Sequence, residues 1–239
     1  MTISPSLSPC ENFWWERNDL HYHDNRLQFA GHDVGALASE ANGPLYLYSL
    51  DRVAARLSFT GTGVANRDLD RLLAHPELVI NCGSIGMIRR IGEREPGRTI
   101  GIRVNPGLGA GYGDNSLLTY AGARTTKFGI YREQWAEALD MARRFDLNVR
   151  TLHFHVGCGY LDDQLASWEE AVTAALSCTA DLPDLEMVNI GGGLGLPPRA
   201  ADKPLDLTRW SAILRSHFSG TGLTVAVEPG DFLVKDAGM

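Results

Sequence analysis

Short runs of β-branched and aliphatic residues recur along the chain, each followed by a polar or glycine-rich turn and then by a stretch with helical spacing. That alternation predicts an α/β fold with parallel strands, because a parallel strand needs a long crossover to bring the chain back to the same end of the sheet. Six strands are expected, over residues 59–63, 78–82, 100–105, 149–156, 186–190 and 223–227. Upstream, 45–48 reads as a short strand and 50–57 as a helix that stops abruptly. Leu69, Leu72 and Leu73 share one helical face, Trp135, Leu139 and Ala142 stand at helical spacing within 133–145, and a further helix is expected over 167–180. The segment between the third strand and Gly129 is rich in glycine and polar residues and reads as a functional loop.

Polar residues interrupt this pattern at the C-terminal ends of the expected strands. His153 and His155 alternate along one strand, so they point to one side while Leu152, Phe154 and Val156 point to the other. A metal site would need a third ligand at suitable spacing, which is not evident, so no metal is expected; an imidazole stacked on an aromatic cofactor and a hydrogen-bonded core histidine are the competing readings. Glu228 closes an apolar strand and calls for a cationic partner, either a ring nitrogen of a ligand or an arginine such as Arg103, itself a charge in an apolar strand. Gly191, Gly192 and Gly193 follow a buried strand directly; bare backbone there suits a phosphate, and equally a tight turn that needs glycine for its dihedral angles. Strand ends of this kind suggest a (β/α)8 barrel, whose active site gathers at that face, although a doubly wound sheet fits the same count of strands.

Composition narrows the partners more than the fold. The net charge of -7 with no basic run gives no electrostatic grip on nucleic acid or an anionic membrane, which leaves small molecules. Residues 1–9 lack a basic start and an apolar core, and no stretch reaches the roughly 20 apolar residues of a membrane span, so a cytoplasmic location is expected. Cys10, Cys82, Cys158 and Cys178 are scattered without a CxxC pair and read as reduced thiols.

Taken in order, Phe59-Thr60-Gly61-Thr62-Gly63, Arg103-Val104-Asn105-Pro106, Thr126-Lys127-Phe128-Gly129-Ile130, His153-Phe154-His155-Val156-Gly157, Gly191-Gly192-Gly193-Leu194-Gly195 and Glu228-Pro229-Gly230 resemble the fold-type III pyridoxal-phosphate-dependent decarboxylases. That group acts on ornithine, arginine and diaminopimelate, and the arginine-strand motif with its Gly109-Ala110-Gly111 loop looks most like the diaminopimelate branch. The resemblance implies an alanine-racemase-like (β/α)8 barrel with six of eight strands recognisable, pyridoxal 5′-phosphate as cofactor, an amino-acid substrate and, in the complete family, a homodimer. It implies a division into residues 1–49, an N-terminal segment of a β-domain, and residues 50–239, a partial cofactor-binding barrel, with the C-terminal β-domain absent. By position, His155 would stack on the cofactor ring, Glu228 would pair with its nitrogen, Gly191, Gly192 and Gly193 would hold its phosphate, Arg103 would lie near it, and Cys158 stands where relatives often carry a phosphate-contacting serine.

Three departures from the family pattern shape the functional expectation. The strand that carries the family's Schiff-base lysine is absent: Arg56-Leu57 runs straight into Ser58-Phe59, and the three lysines, Lys127, Lys203 and Lys235, do not inherit the role by position. Catalytic residues are therefore not assigned. The chain stops at Met239 where a β-domain would follow, and Asp231 stands where many relatives have a phosphate-binding arginine. The expectation is a truncated or inactive form of a decarboxylase, with a non-catalytic cofactor-binding or regulatory paralogue as the alternative.

Overall fold

The computed structural model describes residues 19–40, 57–111 and 126–235. Two compact units divide the chain, residues 1–56 and 57–239. In the first, β1 (Leu20–His23) and β2 (Arg26–Phe29) form an antiparallel hairpin. Its tight turn is made by Asp24 and Asn25 at φ 47° and 60°, the left-handed backbone that two-residue hairpin loops demand. β3 (His32–Asp33) pairs with β2, and α1 (Val34–Glu40) starts where Asp33 Oδ1 accepts from Ala36 N at 3.0 Å. Pattern reading missed these strands because they are only two to four residues long and bury no side chain. The expected strand at 45–48 and residues 50–56 of the expected helix lie outside the described residues.

The second unit is built on a parallel sheet of six strands: β4 (Ser58–Phe59), β5 (Val79–Cys82), β6 (Thr99–Arg103), β7 (Asn148–His153), β8 (Met187–Asn189) and β9 (Thr224–Ala226). Their order in space is their order in sequence. A doubly wound sheet reverses its order partway, so the sequential order decides for the barrel topology, here a curled six-stranded part of one. Between the strands run α2 (Asn66–Leu73), α3 (Ile85–Gly92), α4 (Trp135–Arg144), α5 (Leu165–Leu176) and α6 (Leu207–Phe218), and α7 (Gly230–Val234) follows β9. All six expected strands are present, but shorter than expected. Their last residues leave the ladder and form the turns described below.

Alternation divides the sheet into two faces. Ile80, Cys82, Ile100, Ile102, Leu152, Phe154 and Val188 are fully buried in one apolar core with Leu69, Ile88, Ile91, Ala138 and Val172 from the helices. The opposite face carries polar residues in tiers, because a parallel register places like positions side by side. Arg103, His153, Asn189 and Ala226 are consecutive register partners across four strands.

Local signals explain two helices that hydrophobic periodicity did not reveal. Ser84 caps α3 by accepting from Met87 N at 3.2 Å, and Asp206 caps α6 by accepting from Thr208 N and Arg209 N at 2.8 and 3.1 Å. Replacing Ser84 by alanine is expected to cost about 1 kcal/mol, read as a lower urea midpoint with an unchanged slope. Behind the turns at the sheet's C-terminal end, the Trp168 ring packs 5.7 Å from both Tyr160 and Trp210, and Trp210 Nε1 donates to Tyr160 Oη at 3.2 Å. Asp162, buried nearby, is ion-paired with Lys203 and with Arg209. These contacts fix the segment that follows β7 and with it one wall of the site.

Candidate functional site

Where the strands end, the chain turns sharply and the turns interlock backbone against backbone. A Cβ on Gly193 would lie 1.8 Å from Gly157 O, one on Gly192 1.9 Å from Glu228 O, and one on Gly157 1.8 Å from Ala110 O. Gly191 and Gly193 also have φ of +68° and +94°, a region that costs other residues strain. Steric need is thus a sufficient reason for this glycine cluster, whatever it binds.

Two of its three amide groups are already engaged. Gly191 N donates to Asn189 Oδ1 at 2.9 Å and Gly192 N to His155 Nδ1 at 3.3 Å, whereas Gly193 N has no acceptor among the described residues. Among the described residues, the open amide of this turn is thus at its Gly193 end.

Glu228 follows β9 and faces the same cluster. Its Oε1 accepts from Asn189 Nδ2 at 2.8 Å and lies 3.5 Å from His153 Nε2, while Oε2 has no partner among the described residues. The sequence left an arginine such as Arg103 open as its counter-charge; the structure gives it Asn189 and His153 instead, and Arg103 packs its guanidinium 5.0 Å from the Phe128 ring centre. Hydrogen bonding from His153 pulls Glu228 down to about 2 against the opposing effect of its partial burial, so it is a carboxylate at neutral pH.

The two histidines are shifted in the same direction as Glu228, which for a base favours the neutral form. Burial lowers His153, the attraction of Glu228 opposing it, and burial with the neighbouring Arg103 and His153 pushes His155 down to about 4. Both are neutral at pH 7. With Nδ1 accepting from Gly192, the His155 proton is assigned to Nε2, 3.5 Å from Cys158 Sγ. A base whose folded pKa lies below its unfolded value of 6.5 makes the unfolded chain bind more protons between about 4 and 6.5, so stability rises with pH across that window. The thermal midpoint is expected to climb over this range and level off above it, and His155→Gln should flatten the climb.

Of the residues named from sequence, Glu228, His155, Cys158, Gly191, Gly192 and Gly193 come together, with Arg103 on the adjoining tier. Sequence reasoning missed Asn189, which joins Glu228 to the glycine turn, and the contact of His153 with Glu228. An asparagine ending an apolar strand just before the glycines was the available signal. No lysine lies on any of the six strands: Lys127 sits 5.4 Å from the Phe128 ring centre, Lys203 pairs with Asp162, and Lys235 follows α7. Among the described residues no cluster of three metal-ligating side chains occurs, and no helix is long and apolar enough to cross a membrane.

A barrel-type parallel sheet with a fixed carboxylate, neutral histidines and a glycine turn at its C-terminal end defines a class of α/β protein that binds small molecules at that face. Within that class, the chain belongs to the family described as pyridoxal-dependent decarboxylase, pyridoxal binding domain, whose model matches residues 46–235. The cofactor of this family is pyridoxal 5′-phosphate. Among its relatives, the diaminopimelate decarboxylase of Streptomyces coelicolor is 32% identical over 73% of this chain and 40% of its own length. That of Escherichia coli is 29% identical over 76% of this chain and 43% of its own. A crystal structure of a diaminopimelate decarboxylase superposes with a TM-score of 0.64 at 27% identity, covering 78% of this chain and 44% of that one. The chain thus spans about two-fifths of the length of the curated relatives it matches.

Proposed function

We propose that this chain is the pyridoxal-phosphate-binding segment of a decarboxylase for a diamino acid resembling diaminopimelate, and that on its own it binds the cofactor reversibly without turnover. Residues 1–49 would belong to a β-domain and 50–239 to the barrel. The observation that carries the reading is Glu228: a carboxylate held by Asn189 and His153 on Oε1, with Oε2 unpartnered among the described residues, suits the protonated ring nitrogen of pyridoxal phosphate. Gly193 N, at the same turn, suits an oxygen of its phosphate. The family match and the diaminopimelate decarboxylase relatives support the same cofactor and substrate class.

When bound, pyridoxal phosphate supplies an electron-poor ring that accepts the electron pair left as carbon dioxide departs from an amino acid. The chain's own residues prepare the place for it. Glu228, a carboxylate, would hold a proton at the ring nitrogen, and His155, neutral and half-buried, would offer a flat face without adding charge. Cys158, beside His155, and Arg103, one tier below, border the site. Reversible binding follows from the absence of a lysine on the strands of the sheet.

The test is a titration with pyridoxal phosphate followed by absorbance, alongside release of carbon dioxide from diaminopimelate. Saturable binding with no release is expected. Failure to bind at millimolar cofactor, or turnover by this chain alone, would overturn the reading.

A further inference from the structure

The buried polar tier beneath Glu228 carries a role of its own. Asn189 is 4% exposed and His153 1%, register partners on adjacent strands, in a sheet whose other face buries apolar residues such as Leu152 and Val188. Burying an amide and an imidazole there costs free energy unless they are used. Asn189 is used at both ends: its side-chain carbonyl accepts from Gly191 N at 2.9 Å and its amino group donates to Glu228 Oε1 at 2.8 Å. The main chain closes the loop, since Glu228 N donates to Gly191 O at 2.9 Å. A carboxamide serves both neighbours at once, because the glycine amide requires an acceptor and the carboxylate a donor. His153 adds a long contact to the same carboxylate, its Nε2 standing 3.5 Å from Oε1.

We propose that Asn189, backed by His153, is the positioning residue that locks the Glu228 carboxylate to the glycine turn, so that Oε2 and Gly193 N are presented as one rigid unit to the two ends of the cofactor. The proposal rests on the assignment of Glu228 to the ring nitrogen, but the lock is a property of the chain without ligand. Asn189→Asp sets oxygen against oxygen at Glu228 while keeping the acceptor for Gly191; Asn189→Ala removes both bonds. Glu228→Gln in the Asn189→Asp background restores a donor and acceptor pair with its sense reversed.

Thermal unfolding of the ligand-free protein reads the lock directly. Asn189→Asp is expected to lower the midpoint, and the Asn189→Asp, Glu228→Gln double variant to recover most of that loss. Additive losses in the double variant, or a midpoint unchanged by Asn189→Asp, would overturn the lock even if the cofactor binds well. The second readout is the ring-nitrogen ionisation of bound pyridoxal phosphate, followed by absorbance against pH. In Asn189→Ala its pKa is expected to fall by about one unit, a tenfold loss of preference for the protonated ring; an unshifted value would reduce Asn189 to a purely structural residue. Should the wild-type chain bind no pyridoxal phosphate, the functional assignment fails while the unfolding comparison still decides the lock.

Discussion

Replacing Glu228 by glutamine is expected to weaken pyridoxal-phosphate binding by about 10- to 100-fold, the loss of one charge-assisted hydrogen bond to the ring nitrogen. The substitution keeps an oxygen for Asn189, so the fold should survive it: the thermal midpoint is expected to stay within a few degrees of wild type, on the order of the effect of a neutral surface change. Equilibrium titration of the two proteins at one pH checks the effect. Equal affinities would remove Glu228 from the ring nitrogen, whereas an equal fall in affinity and in stability would make it a structural residue. Because Glu228 is pulled down to about 2, its own charge does not vary across the neutral range.

The second large effect concerns folding rather than binding. Gly193→Ala places a methyl group 1.8 Å from Gly157 O at a φ of +94°, so both a backbone clash and a strained dihedral angle must be relieved. Together these are expected to cost about 2–4 kcal/mol. Gly222→Ala is the control, with φ +73° and nothing within 4 Å of the added atom, and should cost about 1 kcal/mol. Urea unfolding of the pair separates the clash from the dihedral cost. Similar losses in the two variants would show that the turns adjust easily and that the interlocking of the strand ends is not rigid.

Much of this architecture was legible in the chain because parallel strands buried on both faces leave compact runs rich in aliphatic residues, such as Val79–Cys82 and Thr99–Arg103, with turn residues where the backbone must reverse. The order of the strands was not legible. Six apolar runs fit a barrel and a doubly wound sheet alike, and only the pairing of each strand with its successor separates them. The hairpin from Leu20 to Asp33 escaped notice because its strands have at most four residues and bury no side chain, although Leu20, Tyr22, Leu27 and Phe29 alternate with polar residues around the Asp24-Asn25 turn.

The site was legible residue by residue, but its connections were not. His155, Glu228 and the three glycines stood out as polar or bare positions at strand ends, and the family resemblance ordered them. That the Gly191 and Gly192 amides are spent on Asn189 and His155 depends on register between neighbouring strands, which no single segment encodes. The same holds for Glu228, whose neighbour proved to be His153 rather than an arginine.

The most direct test of the account is the intact mass of the purified chain after saturation with pyridoxal phosphate and reduction with borohydride, compared with its absorbance before and after dialysis. The account predicts a cofactor absorbance that saturates, is lost on dialysis, and leaves the mass of the protein unchanged. A single pyridoxyl group fixed in stoichiometric amount on Lys127, Lys203 or Lys235 would contradict it.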